Sequence, residues 1–220
     1  MKIKICGIRT YDDAMKIIDA GADIIGFNFF PQSPRYISPG DCLRLVVRLQ
    51  TMLREELARV TLVGVFVNAN PDYVHTLVGD CHLDRIQLSG DEPPSDLEIL
   101  GERTFKVLRP RSAEELAEDV KRFPPRVLSP AWMIDTYHPG IYGGTGQPAD
   151  WRVASQLAQT STILLAGGLR ADNVAEAIRQ VNPWGVDVAS GVESAPGVKD
   201  LQKVRDFIHA VRSLSEEYSL

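Results

Sequence analysis

Hydrophobic and polar positions alternate along this chain in two periods that take turns. Short apolar or every-second-residue runs occupy residues 2–6, 23–27, 61–67, 84–88, 104–108, 131–135, 162–166 and 185–188. Between and after them lie amphipathic stretches of helical period at 11–20, 40–58, 71–78, 96–100, 112–122, 150–158, 171–180 and 198–211. Ser112 with Glu115 has the form of a capping box, and Asp172 is placed to open the seventh helical stretch. Strands that alternate with helices predict a parallel sheet, because each helix must carry the chain back to the same end.

Eight such units of about 27 residues match the small end of the closed (β/α)8 barrel. An open doubly wound sheet is the competing arrangement. Its GxGxxG turn after the first strand is missing, since Cys6-Gly7-Ile8-Arg9 stands there. No low-complexity linker interrupts the 220 residues. The expectation is therefore one α/β domain, residues 1–220, folded as a TIM barrel of the phosphate-binding type. The tail from residue 213 is polar and is expected to fray.

Composition narrows the function classes. Hydrophobic residues make up 44% and charged residues 24%, as in ordinary globular chains. Apolar runs such as Ile163-Leu164-Leu165-Ala166 fall far short of the roughly 20 residues that span a bilayer, which excludes a membrane helix. A net charge of −5 speaks against a general nucleic-acid partner. Residues 1–6 carry lysines but no apolar core of signal-peptide length, so a cytoplasmic location is expected. Cys6, Cys42 and Cys81 form neither a disulfide framework nor a CxxC pair. His75, His82, His138 and His209 lack metal-ligand spacing, so no metal is expected, and His138 reads as a loop residue.

A barrel of this kind works at the C-terminal ends of its strands. The ring to inspect is therefore Cys6, Asn28, Asn68, Gln87, Arg109, Asp135, Gly167, Gly168, Ser190 and Gly191. Alternation puts Lys2, Lys4 and Cys6 on one face of the first strand and Ile3 and Ile5 on the other. A thiolate at Cys6 would serve as base or nucleophile, the competing reading being a small buried hydrophobe. Cys42 and Cys81, on helix-side segments, read as packing residues.

Asp135 follows Trp132-Met133-Ile134, whose bulk would desolvate a carboxylate as an acid role requires, a loop-capping aspartate being the equal alternative. The turns Gly167-Gly168 and Ser190-Gly191 close the seventh and eighth strands, where barrels of this type bind phosphate on backbone amides. An ordinary tight turn is the alternative. A further glycine run, Gly143-Gly144-Thr145-Gly146, suits a lid or a substrate contact. Arg35 sits on a proline-stiffened loop and suits a carboxylate, unless it is simply a solvated arginine. Asp187 lies mid-strand and needs a partner. Closure of the barrel offers Lys4. Gln87 and Asp187 complete the set as substrate-binding candidates.

These segments, in order, resemble the phosphoribosylanthranilate isomerases of tryptophan biosynthesis. The matching pieces are Lys4-Ile5-Cys6-Gly7-Ile8, Gly26-Phe27-Asn28-Phe29 with Ser33-Pro34-Arg35-Tyr36-Ile37, Val63-Gly64-Val65-Phe66-Val67-Asn68 and Gln87-Leu88. They continue through Gly143-Gly144-Thr145-Gly146, Asp150-Trp151, Leu165-Ala166-Gly167-Gly168-Leu169, Gly185-Val186-Asp187-Val188, Ser190-Gly191-Val192-Glu193 and Pro196-Gly197-Val198-Lys199-Asp200. Each is weak alone, whereas the ordered set spans residues 4 to 200 and is specific.

The resemblance implies an Amadori rearrangement of N-(5-phosphoribosyl)anthranilate to 1-(2-carboxyphenylamino)-1-deoxyribulose 5-phosphate, with Cys6 as general base and Asp135 as general acid. It implies that Arg35 holds the anthranilate carboxylate and that amides around Gly167, Gly168, Ser190 and Gly191 hold the phosphate. The rearrangement moves hydrogen within one molecule, so no redox cofactor is expected. The expected partner is a phosphosugar substrate, bound by a monomer or a homodimer.

The chain departs from the family at Ser89, where histidine is common, at Gln147-Pro148, where Lys-Thr is frequent, and at Ala189, often serine. Related phosphosugar barrels fit less well. Indole-glycerol-phosphate synthase implies a lysine with glutamates, the histidine-pathway isomerases two aspartates, and metal-dependent epimerases metal-binding histidines. A phosphate-binding barrel without catalysis needs neither Cys6 nor Asp135.

Overall fold

The alternation in the first strand decides which way the sheet faces. A computed structural model describes residues 1–53, 59–135 and 151–217. In β1 (Lys2–Cys6), Ile3 and Ile5 are wholly buried in the layer between sheet and helices, while Lys4 and Cys6 turn into the barrel. Seven further strands follow in parallel order: β2 (Ile24–Asn28), β3 (Thr61–Phe66), β4 (Arg85–Leu88), β5 (Thr104–Leu108), β6 (Trp132–Ile134), β7 (Ile163–Leu165) and β8 (Gly185–Val188). The sheet closes where β8 pairs with β1, with Ile3 opposite Val186 and Lys4 opposite Asp187. The expected closed (β/α)8 barrel is thus the observed one, and each expected strand falls within one residue of its observed ends.

Around the sheet lie α1 (Tyr11–Asp19), α2 (Pro39–Met52), α3 (Pro71–Asp80), α4 (Pro94–Leu100), α5 (Ala113–Arg122), α6 (Trp151–Ala158), α7 (Val174–Val181) and α8 (Leu201–Glu217). Their entries follow from side-chain caps. Thr10, Ser38 and Ser112 accept the amides of Asp13, Asp41 and Glu115, and Asn70 accepts those of Asp72 and Tyr73. Two hydrophobic layers result. Ile24, Val63, Phe105, Val107, Met133 and Leu164 fill the barrel, while a larger set that includes Phe27, Leu62, Ile86 and Val186 packs outward against the helices. No described helix is long and apolar enough to cross a membrane.

Four local expectations need correction. Glu115 does not complete a capping box with Ser112. Its carboxylate accepts the Arg111 amide at 2.8 Å and pairs with the Arg111 guanidinium instead. Asp172 does not cap α7, because it pairs with Arg170 at 3.0 Å, and Asn173 occupies the cap position without a side-chain cap bond. The stretch from 198 is not helical at its start. Val198–Lys199 form β10, paired antiparallel to β9 (Glu193–Ala195) across a turn at Gly197 with φ +79°. Asp200 then caps α8, its Oδ1 accepting the amides of Gln202 and Lys203.

The tail expected to fray from residue 213 begins inside a helix, since α8 runs to Glu217 and packs Leu214 into the core, and residues 218–220 lie outside the described ones. The expected helix 40–58 stops at Met52, and its last five residues lie outside the described ones. So do His138, the 143–146 glycine run, Gln147, Pro148 and Asp150.

Candidate active site

Cys6 ends β1 at the mouth of the barrel, 7% exposed. The chain turns sharply after it, with the amides of Gly7 and Ile8 both reaching Gly26 O at 2.9 Å. Gly7 has φ +85°, and a Cβ there would meet Arg35 Cδ at 2.7 Å. Glycine therefore lets the Arg35 side chain lie across the Cys6-Gly7 turn. Beneath the thiol, Lys4 is 0% exposed and donates to Asp187 Oδ1 at 2.6 Å, so the pairing expected from barrel closure is present.

Burial pushes the Cys6 thiol up. The charges of Lys4 and Lys199 pull it back, Asp187 opposes them, and the net direction is upward. For Lys4, burial acts to lower the pKa, but Asp187 and then Cys6 outweigh it, and the ammonium is held more firmly protonated than usual.

Asp135 emerges from β6 with its amide on Leu108 O at 3.0 Å and is buried at 7% exposure. It lines a cavity of about 30 Å³ together with Asp187, Gly167, Gly168, Ser190 and Gly191. The glycines are there for steric reasons. Gly167 and Gly168 adopt φ +94° and +66°. A Cβ on Gly191 would lie 2.0 Å from Leu169 O, so the two turns touch backbone to backbone. Asn173 Nδ2 holds Gly168 O at 3.0 Å. Asp187 is the hinge of the arrangement, because it shares this cavity with Asp135 and shares Lys4 with Cys6.

Arg35 meets Glu193 through two parallel bonds, Nε to Oε1 and Nη2 to Oε2, both 2.8 Å. Glu193 Oε1 also accepts Lys199 Nζ at 2.8 Å, and Lys199 reaches Ala189 O at 2.9 Å. The Arg35 amide donates to Ser33 Oγ at 3.1 Å, and among the described residues no further hydrogen bond engages its guanidinium, which leaves the Nη1 edge unclaimed. The β9–β10 turn packs on the same loop, for a Cβ on Gly197 would lie 2.3 Å from Pro34 O.

The rest of the ring is less uniform. Gln87 is buried, gives Nε2 to Ser89 Oγ at 3.0 Å, and leaves Oε1 buried without a bond. Asn28 turns back to the Phe30 amide. Asn68 is exposed, sits at φ +51° and accepts the Asp91 amide at 2.6 Å. Arg109 is half-buried beyond β5. Cys42 and Cys81 are buried against each other between α2 and α3, away from the mouth.

Sequence reasoning missed Glu193, Lys199, Glu92 and Lys106. The first pair had a signal in the turn Pro196-Gly197, which sets Lys199 opposite Glu193. Glu92 had none. It follows β4, accepts the amides of Asn68 and Gly90, and takes Lys106 Nζ at 2.6 Å, anchoring the loops after β3 and β4.

Comparison with known proteins agrees with this fold. The family described as N-(5'-phosphoribosyl)anthranilate (PRA) isomerase matches residues 3–210. N-(5'-phosphoribosyl)anthranilate isomerase of Geobacter sp. strain M21 is 43% identical over 214 residues, covering 97% of this chain and 99% of the relative. That of Roseiflexus sp. strain RS-1 is also 43% identical, over 98% and 100% of the two chains. The crystal structure of the Thermotoga maritima enzyme superposes with a TM-score of 0.83 at 33% identity, over 97% and 99%. A phosphoribosyl anthranilate isomerase in complex with reduced 1-(o-carboxyphenylamino)-1-deoxyribulose 5-phosphate gives 0.80 at 32%, over 97% and 99%. A chain matched from end to end, with a thiol, a carboxyl group and paired glycine turns at one barrel mouth, belongs to the phosphoribosylanthranilate isomerase family.

Proposed function

We propose that Cys6 and Asp135 carry the two proton transfers of the isomerisation that defines this family. The chain is an isomerase of tryptophan biosynthesis, and its substrate is N-(5'-phosphoribosyl)anthranilate. Asp135 gives a proton to the ribose ring oxygen, the ring opens, and the iminium so formed acidifies the neighbouring sugar C–H. The Cys6 thiolate removes that proton, and the resulting enol settles to the ketone of 1-(2-carboxyphenylamino)-1-deoxyribulose 5-phosphate. Hydrogen moves within the substrate and no net electrons are exchanged, so the balance calls for no redox cofactor.

The phosphate rests against Gly167, Gly168, Ser190 and Gly191, whose backbones approach closely enough to present amides to an anion. Arg35 offers its Nη1 edge to the anthranilate carboxylate, and Gln87 Oε1 accepts from a substrate hydroxyl. We read residues 1–220 as one domain, working in the cytoplasm as a monomer or a homodimer. The Thermotoga maritima relative is a dimeric enzyme of which monomers have been generated.

The observation that carries this reading is Asp187, which adjoins the Asp135 cavity on one side and the Lys4–Cys6 pair on the other. Loss of the substrate's anthranilate-type fluorescence tests it in wild type, Cys6→Ser and Asp135→Asn. Each variant is expected to lose about a hundredfold or more in kcat. Normal turnover by both would remove the assignment.

A further inference from the structure

We propose that Lys4 is a positioning residue for the reaction: its buried ammonium is the counter-ion of the Cys6 thiolate, and Asp187 holds it in place. The proposal rests on the reading of Cys6 as the base.

Three observations support it. Lys4 is sealed inside the barrel at 0% exposure, where an ammonium persists only with partners for its protons. Asp187 takes one at 2.6 Å through Oδ1, and the Cys6 sulfur stands close enough to act on the ammonium charge. Gly26 on β2 supplies the space. A Cβ there would lie 2.9 Å from Cys6 Sγ and 3.2 Å from Lys4 Nζ, so sulfur and nitrogen crowd one spot above a residue with no side chain.

The surrounding charges give the pair its logic. Facing the thiol are Lys4 on its own strand, Asp187 from β8 and Lys199 from β10, with Arg35 lying across Gly7 and Glu193 engaged by Arg35 and Lys199. Asp135 enters from β6 through the cavity it shares with Asp187. With the thiol protonated, Lys4 and Asp187 cancel. When the S–H bond breaks, the proton leaves to water and the electron pair stays on sulfur. Two anions then flank one ammonium. Without Lys4 they would face each other in a dry interior, which strongly disfavours the thiolate.

A merely structural ion pair and a counter-ion differ in sign. The test follows alkylation of Cys6 by iodoacetamide in the full chain without substrate, across pH, with the labelled Cys6 peptide quantified by mass spectrometry. Here the thiolate sulfur displaces iodide, so the rate reports thiolate. Lys4→Met is expected to move the inflection to higher pH and slow labelling at mildly alkaline pH about tenfold or more. Lys4→Arg restores most of it.

Asp187→Asn is expected to move the inflection the opposite way and speed labelling. It decides the matter alone if Lys4→Met fails to fold. Wild-type labelling in these variants, or shifts of one sign in Lys4→Met and Asp187→Asn, overturn the proposal. Normal turnover by Cys6→Ser would instead overturn the reading of the base, whatever the labelling shows.

Discussion

Glu193 grips the guanidinium of Arg35 with two parallel bonds of 2.8 Å, although 158 residues separate them. The same carboxylate holds Lys199, which holds the carbonyl of Ala189 at the edge of the Ser190-Gly191 turn. One buried side chain thereby couples the Arg35 loop to the phosphate-type turn, the two places where opposite ends of the proposed substrate would be held.

Replacing Glu193 by Gln should therefore weaken substrate capture more than chemistry. Steady-state kinetics should show KM raised about tenfold with kcat changed far less, the pattern of lost binding rather than lost transition-state contact. A kcat effect larger than the KM effect would contradict the role given to Arg35.

The same carboxylate makes an acid-stability prediction. Burial pushes Glu193 up, but the bonds from Arg35 and Lys199 more than reverse this and hold it below its ordinary value of 4.5. A depressed folded value means that the unfolded chain binds the proton at higher pH. The stabilisation is thus complete above about pH 4.5 and drains away as the pH falls through the folded value. Thermal unfolding should show wild type losing Tm more steeply than Glu193→Gln below that pH. Parallel curves would show that the carboxylate contributes nothing.

Catalysis should also rise with pH, but in a higher window. Burial raises the Cys6 thiol above its ordinary value of 9.0, so thiolate is scarce at neutrality and increases with pH. The profile of kcat/KM is expected to climb from neutral into the alkaline range before any unfolding. A flat profile from about pH 7 to 9 would be inconsistent with a thiolate base.

Gly191 has no room for a methyl group, since its Cβ would lie 2.0 Å from Leu169 O. Gly191→Ala should part the two turns, cost about 1–3 kcal/mol in stability and weaken competitive inhibition by inorganic phosphate. Unaltered phosphate inhibition would detach these turns from anion binding.

On the far side of the mouth, Lys106 and Glu92 are both buried and paired at 2.6 Å. Lys106→Met leaves the Glu92 carboxylate with only the Asn68 and Gly90 amides and no counter-charge, at a cost of about 3–5 kcal/mol in denaturant unfolding. The double variant with Glu92→Gln should recover part of that loss. If it is no more stable than the single variant, the pair is not coupled.

Much of this was legible in the chain itself. Period-two alternation placed Lys4 and Cys6 on the face opposite Ile3 and Ile5, and the structure keeps them there. Local signals failed where two interactions competed for one residue. Glu115 and Asp172 look like cap residues, yet each is drawn to a nearby arginine. Val198 and Lys199 sit in a helical pattern, yet the turn at Gly197 folds them onto Glu193 and Ala195.

By itself the sequence determined the strand–helix repeat, the inward and outward faces, and the glycines at the strand ends, all set by neighbours a few residues apart. Only the tertiary structure decided that Glu193 and Lys199 would lock Arg35 to the phosphate-type turn, and that Asp187 would stand between the Lys4–Cys6 pair and the cavity of Asp135. The reason is physical. Beyond the Lys4–Asp187 pair, which barrel closure already offered, those meetings join residues as far as 158 positions apart, and their register follows from closure of the sheet and packing of the helices, which no local pattern encodes.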